Sequence, residues 1–153
     1  MANTFTQLTY QVVFAVRNRD HLIARSWRDE FCKYISGILK NEGLKSLAVG
    51  GWIDHIHVLF GMPPTRSLSD VVRIIKSNSS KWVNDRGFVK GHFQWQEGYG
   101  GFSYSVSQRD AVIKYIMNQE QHHGKTTFRQ EYEMILKEFE IDADQQYLFD
   151  YRE

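Results

Sequence analysis

Two histidines separated by one residue lie in the segment 54–60, which reads Asp-His-Ile-His-Val-Leu-Phe. The pattern predicts a strand, and side chains on a strand alternate between its two faces. His55 and His57 should therefore share one face, while Ile56 and Val58 point into a core. Two neighbouring imidazoles can bind one divalent cation if a third ligand comes from elsewhere in the chain. Without a metal, the pattern fits two half-exposed polar residues.

A second segment that carries residues capable of chemistry spans residues 107–124. Ser107 with Asp110 resembles an N-terminal capping box, and Gly124 is a natural helix end, so one continuous helix is predicted. Its apolar residues fall on a single stripe, as expected for a helix packed on a core. These residues are Val112, Ile113, Ile116 and Met117.

The polar face of this predicted helix carries a candidate nucleophile. Tyr115 and Gln119 are one turn apart and should lie side by side. A phenol beside an amide carbonyl suits a nucleophile next to a metal ligand, although a core-edge tyrosine with a solvated glutamine gives the same spacing. His122 shares this face and could support a metal from behind. The His122-His123 pair is interpreted chiefly as a cap on the helix C-terminus, where positive charge is favoured.

Further motifs follow the histidine pair in order, at residues 63–65, 67–69, 95–103, 119–123 and 128–132. Together with His55-Ile56-His57 and the Tyr-x-x-x-Gln spacing, they resemble the single-tyrosine HUH transposases of small bacterial and archaeal insertion sequences and their REP-associated relatives. HUH denotes His-hydrophobic-His. The resemblance covers residues 6–147, nearly the whole chain.

The resemblance implies an α+β, ferredoxin-like fold of the HUH endonuclease type. It also implies a transposase that cuts and rejoins single-stranded DNA with hairpin ends. Tyr115 would attack the phosphodiester to form a covalent 5′-phosphotyrosine. His55, His57 and Gln119 would hold Mg²⁺ or Mn²⁺, a choice that the borderline softness of two nitrogens and one amide oxygen leaves open.

The family resemblance and the sequence together imply a homodimer. In the resembled insertion-sequence enzymes, the tyrosine helix of one subunit can serve the HUH pair of the other, whereas REP-associated relatives can act as monomers. The strand predicted at residues 102–106 is short and apolar on one side. Such an edge strand favours pairing with a copy of itself.

The remaining hydrophobic patterns predict a single domain over residues 1–153. Strands are expected near residues 8–14, 47–49, 55–60 and 102–106, and helices beginning at Ser26, Ser67 and Thr127. Residues 84–101 have no clear period. The β-α-β-β-α-β order is that of a ferredoxin-like antiparallel sheet with helices on one face.

Composition narrows the class of protein. The chain has 153 residues, of which 42% are hydrophobic and 24% charged, as in a soluble globular domain. No signal peptide or membrane-length apolar run is visible, and the one cysteine, Cys32, allows no internal disulfide. A cytoplasmic protein without membrane partners is expected.

The net charge of +1 is small for a protein that binds nucleic acid, so any DNA surface must be local. The candidates are Arg73, Lys76 and Lys81 on the second helix, and Arg17 and Arg19 in an early loop. A solvated helix face is the common alternative for such charges.

Two other functions remain open from the sequence. One is a domesticated, REP-associated relative that binds nucleic acid in a host role and makes no use of Tyr115. The other is an unrelated metal-dependent hydrolase that uses His55 and His57 with a general base such as Glu97 or Glu120. A covalent adduct on DNA would distinguish these functions from the transposase.

Overall fold

The structure is a computed structural model that describes residues 3–17, 22–142 and 149. Four strands and two helices follow one another in the predicted β-α-β-β-α-β order, and three shorter helices come after them. The elements are β1 (Thr9–Ala15), α1 (Arg25–Asn41), β2 (Lys45–Gly51), β3 (His55–Gly61), α2 (Leu68–Arg86), β4 (Gly100–Tyr104), a 3₁₀ turn (Val106–Gln108), α3 (Arg109–Met117), α4 (Gln119–His123) and α5 (Phe128–Glu138).

The strands form one antiparallel sheet in the order β2-β3-β1-β4. This α+β topology confirms the predicted ferredoxin-like fold. The two central strands are β1 and β3, and the predicted edge strand is present as β4, two residues earlier than expected. The register places His55 opposite Ala15 and His57 opposite Val13. Both histidines therefore lie on a central strand of the sheet, with His55 as its first residue.

Helices cover both faces of this sheet, so the prediction of helices on one face was wrong. On the first face, α1 and α2 pack on a core that includes Phe14, Phe31 and Ile56. On the second face, Val13 packs near α5 and Leu59 near α3. Nearly every residue of the two central strands is buried, which requires a cover on each side. The histidines point toward this second cover.

The starts of two helices agree with the sequence. The Ser67 side chain accepts a hydrogen bond from the Asp70 backbone N–H at 3.1 Å and begins α2. Thr127 and Gln130 form the predicted capping box at the start of α5. Both caps satisfy backbone N–H groups that have no partner within the helix. α5 is thus anchored directly after the loop that follows α4.

The starts of two other helices were predicted wrongly. α1 begins with Ala24 at the N-cap and no side-chain cap, rather than at Ser26. The capping box expected at Ser107 belongs instead to Ser105, which opens the 3₁₀ turn before α3. The expected continuous helix also breaks at Asn118, whose backbone leaves the helical region (φ −106°, ψ 27°). This break lies immediately before Gln119.

The long aromatic segment before β4 packs against the first core. Trp95 is buried and donates its indole N–H to Ser79 Oγ at 3.0 Å. Phe102 is also buried, under α5. Both rings therefore belong to the protein interior. In the described part of the chain, no helix is long and apolar enough to cross a membrane.

Candidate metal and nucleophile site

His55 and His57 are completely buried between the sheet and the cover made by α3, α4 and α5. Their ring centroids are 5.0 Å apart. This burial excludes the alternative of two half-exposed polar residues. A buried imidazole needs partners at both ring nitrogens, because an unpaired polar atom in a core is costly.

The Nδ1 atom of each imidazole is held by an oxygen. His55 Nδ1 lies 2.7 Å from Asp54 Oδ1, and His57 Nδ1 lies 2.6 Å from Gln11 Oε1. Carboxylate and carbonyl oxygens accept hydrogen bonds, so Nδ1 donates in both rings. Both Nε2 atoms then face the interior. Metal-bound histidines are oriented in the same way by an oxygen behind the ring.

Glu131 of α5 is the central residue that sequence reasoning missed. It is 2% exposed, and its Oε1 atom lies 3.1 Å from His55 Nε2 and 3.2 Å from His57 Nε2. A signal was present in the sequence, because Glu131 falls on the apolar stripe of α5 between Phe128 and Ile135. A charged residue on a buried helix face requires a partner.

The charges of this cluster are mutually dependent. Burial alone would raise the pKa of Glu131, but the surrounding histidines hold that pKa well below its usual value. Burial would lower the pKa of His55, yet hydrogen bonds to Asp54 and Glu131 raise it to about 9. For His57 the burial effect prevails and the pKa is lowered. The Glu131 charge therefore favours the charged form of the His55 imidazole, and that imidazole in turn favours the ionised carboxylate.

The predicted nucleophile and amide ligand also reach this cluster. Gln119 is buried, and its Oε1 atom lies 3.1 Å from His55 Nε2. The Tyr115 hydroxyl donates a hydrogen bond to Glu131 Oε2 and lies 3.2 Å from His122 Nε2. Burial and the Glu131 charge raise the Tyr115 pKa, so the phenol is neutral at rest. The structure thus brings His55, His57, Tyr115 and Gln119 together.

The spacing of the donor atoms fits a single cation. Two ligands about 2.1 Å from a metal, at angles near 95–110°, lie roughly 3.1–3.4 Å from each other. Glu131 Oε1 meets this condition with both histidines, at 3.1 and 3.2 Å. Nitrogen and oxygen donors of this kind suit divalent ions of borderline hardness. The residues present therefore fit a divalent metal.

A cleft of about 710 Å³ between α3 and α5 leads to this cluster. Tyr115 and Glu131 line it, together with exposed Met134. A second tyrosine, Tyr104, lines the same cleft, but its hydroxyl accepts a hydrogen bond from Gln11 Nε2 at 2.7 Å. Burial raises the pKa of Tyr104 to about 12.

The tyrosine and the histidines of one chain meet in that same chain. Tyr115 lies with its ring centroid 5.9 Å from that of His57, without a partner subunit. Exchange of tyrosine helices between subunits, which the resemblance implied, is therefore unnecessary for assembling this arrangement.

Three of the predicted DNA-binding cations line one groove of about 560 Å³ on the α2 side of the sheet. They are Arg17, Arg73 and Lys76. Arg73 is exposed and pairs with Asp70 at 2.6 Å. This groove lies on the opposite face of the sheet from the histidine cluster, because α2 packs on the first face.

Lys76 stabilises the loop that lies beside this groove. Its Nζ donates to the carbonyl oxygens of Gln96 and Gly98 at 2.8 and 2.6 Å, and burial lowers its pKa to about 8. It fastens the loop before β4 to α2. Lys81 pairs with Asp85 at 2.7 Å and is not among the described residues that line the groove. Arg19 lies outside the described residues.

The family of this chain is shown by its similarity to known proteins. Residues 4–119 match the family model described as IS200-like transposase, a segment that contains both histidines, Tyr115 and Gln119. The chain belongs to the IS200-like transposase family. It is 25% identical over 122 residues to the ISDra2 transposase TnpA of Deinococcus radiodurans, which covers 74% of this chain and 84% of that protein. Membership identifies a DNA-processing enzyme of a metal-dependent family.

Two solved structures share the fold. A putative transposase from Deinococcus radiodurans superposes with a TM-score of 0.62 at 23% identity, over 76% of this chain and 94% of that one. A REP-associated tyrosine transposase bound to a REP hairpin gives a TM-score of 0.58 at 15% identity, over 99% and 94%. His123 and Glu131 lie beyond the segment that matches the family model.

Proposed function

We propose that this transposase cuts and rejoins single-stranded DNA by direct attack of Tyr115 on a phosphodiester. The carrying observation is that Glu131 contacts the Tyr115 hydroxyl through one oxygen and both β3 histidines through the other. The nucleophile is thus held beside a set of ligands suited to a divalent cation. This arrangement is typical of covalent catalysis at phosphorus.

The chemical step exchanges one ester for another. The Tyr115 oxygen forms a bond to phosphorus and the bond from phosphorus to the 3′ oxygen breaks. The phenolic proton leaves toward Glu131, which accepts its hydrogen bond, and the departing 3′ oxygen takes up one proton from water, so the proton count balances. The products are a 5′-phosphotyrosine and a free 3′-hydroxyl. Attack by a 3′-hydroxyl on the phosphotyrosine reverses the exchange and rejoins DNA. Because the ester linkage is retained, neither step needs ATP.

The residues of the cluster have different roles in this reaction. His55, His57, Gln119 and Glu131 would hold Mg²⁺ or Mn²⁺, which when bound supplies positive charge to the phosphate in the transition state. Asp54 and Gln11 keep the imidazoles in the orientation that binding requires. Glu131 also orients the Tyr115 phenol, because it accepts the hydrogen bond of the hydroxyl. This orientation matters because the attacking oxygen must be in line with the leaving oxygen.

The shape of the approach favours a single strand. Tyr115 lies in a cleft of about 710 Å³ between two helices, and only a flexible, unstacked strand can bring a phosphate into it. A paired hairpin would then bind elsewhere, and the groove with Arg17 and Arg73 offers cations for its phosphates. A fold relative was solved bound to a REP hairpin, which supports hairpin DNA as a partner.

Pure DNA binding without chemistry explains these observations less well. Burying a carboxylate with several histidines costs desolvation free energy, and a protein that only binds DNA does not need such a cluster. The surface groove alone would serve such a role. The complete cluster therefore favours the enzyme over the domesticated binding protein.

The decisive experiment looks for the covalent intermediate. Single-stranded DNA from the genomic flanks, labelled at the 5′ side of candidate cleavage sites and at the 3′ side separately, is incubated with the protein and Mn²⁺ and run on a denaturing gel. A protein–DNA adduct on the 3′-labelled strand supports the proposal. Tyr115→Phe should abolish it with binding retained. Tyr104→Phe, which removes a hydroxyl from the same cleft, should retain it, and an adduct mapped to Tyr104 would refute the role of Tyr115.

A further inference from the structure

We propose that His123 is a third imidazole ligand of the cation site, beside His55 and His57. The inference rests on the metal site of the proposed function and deepens it. His123 ends the short helix α4, and its side chain is 2% exposed. Its ring centroid lies 4.7 Å from that of His55. The ring therefore belongs to the buried cluster and not to the solvated end of a helix.

The hydrogen bond at Nδ1 decides where the free lone pair of His123 points. Nδ1 lies 2.7 Å from the backbone carbonyl oxygen of Thr126. A carbonyl oxygen can only accept, so Nδ1 carries the hydrogen. In the neutral ring, Nε2 then offers a lone pair, and it lies 2.9 Å from Gln119 Oε1 and 3.2 Å from Glu131 Oε1. Metal-bound histidines commonly donate their other N–H to a backbone carbonyl in this way.

The three imidazoles follow one design. Each has Nδ1 held by an oxygen, which belongs to Asp54, Gln11 or Thr126. Each has Nε2 at 3.1–3.2 Å from the same atom, Glu131 Oε1. Three nitrogen lone pairs and an anionic oxygen at such distances repel each other unless protons or a cation lie among them. A divalent cation satisfies all four donors at once.

The neighbouring His122 lies outside the set of proposed ligands. Its side chain is 28% exposed, and its Nε2 atom faces the Tyr115 hydroxyl and the other Glu131 oxygen at 3.2 and 3.4 Å. The two adjacent histidines therefore have separate surroundings. The prediction that the pair serves as a helix cap does not describe His123, which donates to a carbonyl beyond the helix.

A third imidazole changes the metal preference. The set of His55, His57 and Gln119 alone suits Mg²⁺ and Mn²⁺ alike. Three imidazoles with the Glu131 carboxylate and the Gln119 amide oxygen form a nitrogen-rich set, which favours first-row transition metals over the hard Mg²⁺ ion. We therefore expect this site to prefer Mn²⁺ to Mg²⁺ by a measurable margin in affinity.

The test counts imidazoles on the bound metal. Pulsed electron paramagnetic resonance of Mn²⁺ detects each coordinated imidazole nitrogen, and the wild-type protein should show three. In His123→Asn, the amide N–H can still donate to Thr126 while the Nε2 donor is lost. This variant should show two imidazoles and bind Mn²⁺ at least about tenfold more weakly in calorimetry. His92→Asn, an exposed histidine on the α2 side, is the matched control and should match the wild type.

The outcomes separate this inference from the proposed function. Two imidazoles in the wild type, or equal Mn²⁺ affinity in His123→Asn and wild type, would overturn the role of His123 alone. Absence of Mn²⁺ binding by the wild type, or a Mn²⁺ affinity that is unchanged in His57→Ala, would overturn the metal site as a whole. The wild-type count needs no variant, so the inference remains testable even if His123→Asn does not fold.

Discussion

Glu131 in α5 accepts a hydrogen bond from the hydroxyl of Tyr115 in α3, a residue 16 positions earlier in the sequence. The other oxygen of the same carboxylate lies 3.1 Å from His55 Nε2. One side chain thus connects the proposed nucleophile with the proposed metal ligands. The geometry of attack and the binding of the cation should therefore depend on the same residue.

Glu131→Gln should weaken both properties. The amide keeps the size of the side chain but removes the negative charge that faces the imidazoles, so Mn²⁺ affinity is expected to fall at least about tenfold. Adduct formation should fall with it, because the phenol loses a charged acceptor. Calorimetry and the denaturing gel measure the two effects. Glu133→Gln, on the exposed face of the same helix, is the control, and equal losses in both variants would contradict the assignment.

Cleavage should require a divalent metal. An excess of EDTA is expected to abolish the adduct, and added Mn²⁺ should restore it. His57→Ala removes a central donor and should lower both metal affinity and cleavage, with the fold checked by circular dichroism. Full cleavage in EDTA would exclude the metal from the chemistry.

The enzyme should distinguish single strands from duplexes. A phosphate can enter the cleft beside Tyr115 only if its strand is unstacked and flexible. Single strands, or single strands flanked by hairpins, are expected to be cut, whereas a fully paired duplex of the same sequence is not. Initial rates on the two substrates give the comparison, and similar rates would contradict a single-strand mechanism.

Mixed mutants test whether the active site is shared between subunits. Because Tyr115 and His57 meet within one chain, a mixture of His57→Ala and Tyr115→Phe subunits should stay inactive. Recovery of activity would show that subunits exchange their tyrosine helices, as the resemblance to dimeric enzymes implied. Sedimentation tests the predicted homodimer separately, since β4 is an edge strand in either case.

Gly50 should be essential for the placement of the tyrosine helix. A Cβ atom at this position of β2 would lie 2.3 Å from the backbone oxygen of Ile116 in α3. Gly50→Ala must therefore push α3 away, at a cost of about 1–3 kcal/mol in the free energy of unfolding, and should reduce adduct formation. Gly37→Ala in α1 is the control, because a Cβ there meets nothing within 4 Å. Chemical denaturation of both variants decides whether the loss is specific to Gly50.

Local patterns in the sequence determined a large part of this protein. Alternation along β3 places His55 and His57 on one face of the sheet. The caps at Ser67 and Thr127 are equally local. Each feature depends on a few neighbouring residues and on the fixed geometry of strands and helices, so it can be predicted without knowing how the elements pack.

Only the tertiary structure decided how the site is completed. Glu131 reaches His57 across 74 positions, and this contact depends on how α5 lies over the sheet. The break at Asn118 and the approach of α4 place His123 in the same cluster. Helices on both faces of the sheet follow from apolar residues on both sides of β1 and β3. These arrangements arise because buried charges and apolar surfaces must find partners from distant elements, and sequence spacing alone does not specify which partner each one meets.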